Sequence, residues 1–151
     1  MMSSRSNQLE SIQQLASIKE EHAAKSLAVI LERKLQAEQQ LVDLINYRQD
    51  YESKMKLSHA DGGVPIEQIR QGRLFNERLG EAIRQQQSLI SSLVKEIERQ
   101  VEHWRSSHAS NKLIESLLQR YRLDDRRRRD RRMEAESQDN VYNRFFLERN
   151  S

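Results

Sequence analysis

The chain has 151 residues, 36% hydrophobic and 32% charged, with a net charge of only +3; that is the length of one domain but too polar for a rounded core. Four glycines and one proline leave little turn chemistry, and the abundant Gln, Glu, Leu, Arg, Lys and Ala favour helix almost throughout. The absence of cysteine excludes disulfides and thiolate metal sites and suits a reducing cytoplasm.

The first residues, MMSSRSNQLES, lack the apolar stretch of a cleaved signal, and the longest apolar run, Leu27 to Leu31, falls far short of the roughly 20 residues that span a bilayer. A soluble protein is expected. From there a seven-residue step meets Leu9, Ala16, Ala23, Ile30, Ala37, Leu44 and Tyr51, with Ile12, Leu27, Leu41 and Met55 between them. This pattern predicts a coiled-coil helix over about 6–58. Lys19 and Lys34 interrupt its seam, and its three alanines add little burial but permit close helix approach.

The periodicity stops at HADGGVPIEQ. Gly62 and Gly63 allow positive φ, and Pro65 suits the first turn of a new helix, so residues 59–64 are expected to form a hairpin turn. A second stripe follows over about 65–123: Ile66, Ile69, Phe75, Leu79, Ile83, Ile90, Leu93, Ile97 and Trp104, continued more weakly by Leu113, Leu117 and Tyr121. Trp104 reads as a large core residue of a wide layer. The expected architecture is all-α, one long antiparallel two-helix coiled-coil hairpin with arms of roughly 75 Å at 1.5 Å per residue. The second arm outruns the first. Its extension, 124–151, carries DDRRRRDRR and ends in VYNRFFLERN, and is either continued helix or a frayed tail.

Catalytic patterns are missing. There is no P-loop, GxSxG or HExxH, and Gly62-Gly63 lacks the Lys and Ser/Thr of a phosphate-cradling loop. His103 and His108 are five apart, on different sides of a helix, and His22 and His59 have no ligand-like neighbour at i+4. Carboxylates on exposed helices lack the desolvated cleft that tunes a pKa for acid–base work. The chain reads as non-enzymatic, without cofactor, metal or small-molecule ligand.

Two binding surfaces stand out. Arg126, Arg127, Arg128, Arg129, Arg131 and Arg132 could form a basic partner surface or a solvated, ion-paired helix, since Asp124, Asp125, Asp130, Glu134 and Glu136 are interspersed. No aromatic residue interleaves them, which points to an acidic protein surface rather than nucleic acid. Tyr142, Phe145, Phe146 and Leu147 have no seam left to fill within one chain, so they are tucked back or kept for a partner. The second surface lies near the turn. Gln40, Leu44, Tyr47 and Tyr51 share one helical face, as do Phe75, Leu79, Ala82 and Gln86, and the hairpin brings the two together. One dry seam cannot bury both faces, so they either widen the coil's own packing or leave apolar surface exposed for docking, where a few anchors dominate binding.

These residues also carry a family resemblance. LVDLINYRQDYESKM, FNERLGEAIRQQ and VEHWRSSHASNKL, together with the turn between the first two, make the chain similar to the FliJ family of flagellar type III export proteins over nearly its whole length. The resemblance implies a non-enzymatic stalk built like the γ subunit of rotary ATPases, whose paired terminal helices enter a hexameric export ATPase. It further implies that Gln40, Leu44, Tyr47, Tyr51, Phe75, Leu79, Ala82 and, as a peripheral member, Gln86 face the cytoplasmic domain of the export gate protein. Escort of unloaded export chaperones and a cytoplasmic place at the inner membrane of the flagellar base belong to the same picture. The chain departs from the family near its end, where Asp139 is followed by Asn140 rather than Glu ahead of the apolar Val141, and where NRFFLERN is atypical. A virulence injectisome stalk and a nucleic-acid-binding coiled coil acting through the arginines remain as alternatives.

Overall fold

The computed structural model describes residues 2–60 and 62–149. Two helices account for nearly all of them: α1, Met2–Ala60, and α2, Ile66–Arg149, packed against each other as a helical hairpin with no strand among the described residues. Both helices reach further than the sequence pattern indicates. α1 starts before residue 6, because Ser and Asn at its polar beginning do not break a helix whose later turns are packed, and α2 continues through the arginine run to Arg149. The extension is thus helical rather than frayed.

The turn follows from its residues. Gly62 takes a φ of 72°, the left-handed conformation that glycine adopts without steric cost, and its amide donates to the His59 carbonyl at 3.3 Å to close α1. Pro65 stands one position before α2. Its carbonyl accepts from the amides of Gln68 and Ile69 at 3.1 and 3.2 Å, so the ring's fixed φ leads the chain into the new helix.

The contacts divide the chain into two compact units, Ala23–Trp104 around the turn and Met1–His22 with Arg105–Ser151 at the termini. In the turn unit the inward positions of α1 step alternately by three and four through Ala23, Leu27, Ile30, Lys34, Ala37, Leu41, Leu44, Arg48, Tyr51 and Met55, all buried or half-buried. The facing row on α2 is Ile69, Gly72, Asn76, Leu79, Ile83, Gln86, Ile90, Leu93, Ile97, Gln100 and Trp104. Ala23, Ile30, Ala37, Leu79 and Ile83 form its dry centre. Gly72 is there because the helices come close: a Cβ on it would lie 2.5 Å from the Met55 methyl and 3.2 Å from the Tyr51 hydroxyl. Ile66, expected in the stripe, is instead exposed beside the turn, before the two rows meet.

In the terminal unit the same steps select Leu9, Gln13, Ala16 and Glu20 on α1 and Ser107, Asn111, Ile114 and Leu118 on α2. Three expectations are corrected here. Ile12 is exposed and Gln13 takes the inner place; Lys19 is exposed and Glu20 takes the seam; and Leu113 and Leu117 are exposed, with the seam running through Asn111, Ile114 and Leu118 to Tyr121, which keeps the step but is itself exposed. On α1 the intermediate inner position follows Leu9 and Ala16 by four residues rather than three and is polar; on α2 the polar Asn111 hides the phase, so a reading by apolarity falls one residue short of Ile114 and Leu118. These polar side chains satisfy one another. The Asn111 amide donates to Glu20, the Ser17 hydroxyl donates to Asn111 Oδ1 at 3.4 Å, Gln13 donates to Ser17 at 3.0 Å, and Arg122 donates to Glu10 at 2.6 Å.

Candidate functional site

The face near the turn lies wholly within the turn unit and is assembled from both helices. Leu44, Tyr51, Leu79 and Gln86 are inner seam positions, while Tyr47, Gln40, Phe75 and Ala82 flank that seam on one side. The aromatic rings hold its centre. Phe75 meets Tyr51 with ring centroids 4.8 Å apart at 66° and Tyr47 at 6.3 Å and 79°, both edge-to-face arrangements of the kind aromatic quadrupoles favour. At the end away from the turn, Gln86 donates to the Ala37 carbonyl at 2.9 Å and to Gln40 Oε1 at 3.1 Å, binding the two helices together. All eight residues are therefore brought onto one side of the hairpin.

Burial sorts them. Leu79 is only 8% exposed and Leu44, Tyr51, Ala82 and Gln86 are half-buried, so these residues hold the coil together. Tyr47 is 54% and Phe75 37% exposed, and Gln40 also faces water. The coil packs the root of the face and leaves its crest open, as expected where one seam cannot cover two wide faces. On the side toward the turn the face adjoins an open groove of about 630 Å³, walled by Tyr51, Met55, Gly72, Leu74, Phe75 and Arg78. Sequence reasoning did not find this groove. Its signal was Gly72, a glycine inside a helix pattern, where a missing side chain marks close approach.

On the seam's other side Arg48 donates from Nε to Asn76 Oδ1 at 3.2 Å and pairs with Glu52 at 3.4 Å. Gly80 makes room for it, since a Cβ there would stand 3.2 Å from the guanidinium.

The arginine run is placed differently. Arg126, Arg127, Arg128, Arg129, Arg131 and Arg132 are all exposed on α2 in the terminal unit. Four consecutive residues on a helix turn by about 100° each, so Arg126 to Arg129 point around the whole circumference and form no single basic patch. Tyr142 and Phe146, also exposed, stack with centroids 6.2 Å apart and an interplanar angle of 21°.

No group of three or more His, Asp or Glu side chains among the described residues could hold a metal, and no described helix is long and apolar enough to cross a membrane. A family model described as the flagellar FliJ protein matches residues 5–151. The chain belongs to the FliJ family. Membership makes it a flagellar protein with an export-related role, and the match takes in both helices, the turn, the aromatic face and the C-terminal extension. No curated protein and no solved structure matches the chain.

Proposed function

We propose that this FliJ-family chain is a non-enzymatic stalk of the flagellar export apparatus. In this reading the terminal halves of both helices sit in the hexameric export ATPase, and the face of Tyr47, Tyr51, Phe75 and their neighbours docks on the cytoplasmic domain of the export gate protein. Supporting it is one observation above the others: a family match over residues 5–151 coincides with a packed aromatic face whose crest stays open to solvent. A fully covered crest would have suited a purely structural coil. Tyr47 and Phe75 can act as anchors because rigid aromatics lose little conformational entropy on binding and bury a large area.

Gln40 supplies a polar contact at the rim of the face, held there by Gln86, and Leu44, Leu79 and Ala82 hold the rings in place. The arginines at 126–129, 131 and 132, spread around the helix, suit the interior of a ring that surrounds it better than one flat partner. The protein works in the cytoplasm, at the inner-membrane side of the flagellar base, and escorts unloaded export chaperones. Co-purification with the export ATPase and the gate's cytoplasmic domain tests the reading, and addition of the chain should raise the purified ATPase's turnover. A chain that enters neither complex and leaves turnover unchanged contradicts it.

A further inference from the structure

The C-terminal part of α2 carries a pattern that the stalk reading does not use. In the terminal unit the inner row Ser107, Asn111, Ile114, Leu118 continues, at the same steps of four and three, through Tyr121, Asp125, Arg128, Arg132, Ala135, Asp139, Tyr142 and Phe146. From residue 126 to residue 149 every position is exposed. The stacked Tyr142 and Phe146 thus lie in register with the coil's own seam, yet no α1 residue covers them.

This row is complementary to itself when reversed. Laid antiparallel on a second copy and centred between Met133 and Glu134, it places Tyr121 opposite Phe146, Arg128 opposite Asp139 and Arg132 opposite Ala135. The flanking Arg129 comes opposite Glu136. Two-fold symmetry makes each of these pairings occur twice. Charge separates this orientation from the parallel one. Residues 120–133 hold eight arginines against three aspartates, whereas residues 134–149 hold four acidic residues against two arginines. Parallel pairing sets the basic half on the basic half; antiparallel pairing sets basic on acidic. The aromatic ends also find a place. Phe145 and Phe146 of the second copy arrive at the open flank of Leu117 and Tyr121, both exposed, where α1 ends its cover and Asp125 is the last half-buried position.

We infer that the exposed C-terminal helix is a self-association surface, through which two copies of this chain pair antiparallel over residues 117–149. The apolar contacts are confined to the two ends and the middle is ionic, so the dimer is weak and responds to salt. It covers the same helix that the stalk reading gives to the ATPase ring. On the stalk reading, dimer and ring-bound chain are then mutually exclusive.

Sedimentation equilibrium of the full chain, from low to high micromolar, tests the inference without any partner and so independently of the stalk reading. The wild type should follow a monomer–dimer equilibrium. Arg128→Asp should weaken it at least about tenfold, because it creates two like-charge contacts, and Arg128→Asp with Asp139→Arg should restore it. Phe145→Ser with Phe146→Ser should also shift the chain to monomer, with circular dichroism reporting unchanged helix. A monomer at all concentrations, or an Arg128→Asp variant that dimerises like the wild type, overturns the inference.

Discussion

Asn111 shows how a polar residue can hold a seam position. It is 7% exposed, yet its amide donates to Glu20 and its carbonyl oxygen accepts from Ser17, while His108 Nδ1 lies 2.5 Å from the other Glu20 oxygen. The hydrogen bond from Asn111, followed by that from His108, holds the Glu20 carboxyl below its ordinary value of 4.5. A carboxylate whose folded pKa is depressed stabilises the fold above its unfolded pKa and loses that contribution as pH falls through the folded one. Thermal unfolding followed by circular dichroism should therefore show a loss of stability below about pH 4.5 that Glu20→Gln reduces. A second pair of variants separates packing from docking in the turn unit. Leu79→Ala should cost about 2–5 kcal/mol, as a core leucine does, while Tyr47→Ala, exposed on the crest, should change folding stability by less than about 1 kcal/mol in urea titrations. Leu44, Tyr51 and Leu79 were legible in the sequence because they are apolar at the right step. Gln13, Glu20 and Asn111 were not, since hydrophobic periodicity carries no mark for a position filled by hydrogen bonding; only extending Ile83, Ile90, Ile97 and Trp104 by a further seven residues points to Asn111.

At the scale of elements the turn was the clearest feature, because Gly62, Gly63 and Pro65 are the only dense punctuation between two periodic segments. The two glycines are not equivalent. Gly62 alone has a positive φ, and neither would bring a Cβ into contact with anything. Gly62→Ala should accordingly lower stability by about 1 kcal/mol, whereas Gly63→Ala should be neutral or slightly stabilising through the unfolded chain. Equal effects in chemical denaturation would show that the left-handed conformation is not what closes α1. The C-terminal extension could not be read so directly. Its arginines favour helix, but no packing partner appears in the pattern, and a solvent-exposed helix that rests on propensity leaves no hydrophobic period behind. The polar seam of the terminal unit and the alanine-rich seam around the turn likewise differ in what they bury. One exchanges hydrogen bonds among Gln13, Ser17, Glu20 and Asn111; the other removes Ala23, Ile30, Ala37, Leu79 and Ile83 from water.

At the scale of the whole molecule the sequence already indicated a two-helix hairpin and its family, since both rest on a pattern repeated along the entire chain. The side on which Tyr47, Phe75, Gln40 and Ala82 emerge required the helices to be paired, because only the pairing distinguishes the crest of the face from its root. The proposed docking to the export gate depends on that crest more than on any buried residue. The most direct measurement is calorimetric titration of the full chain with the gate's cytoplasmic domain, comparing wild type with Tyr47→Ala combined with Phe75→Ala. The expected result is at least about a tenfold loss of affinity with helix content unchanged. Equal affinity for the two proteins would contradict the assignment of this face as the docking site.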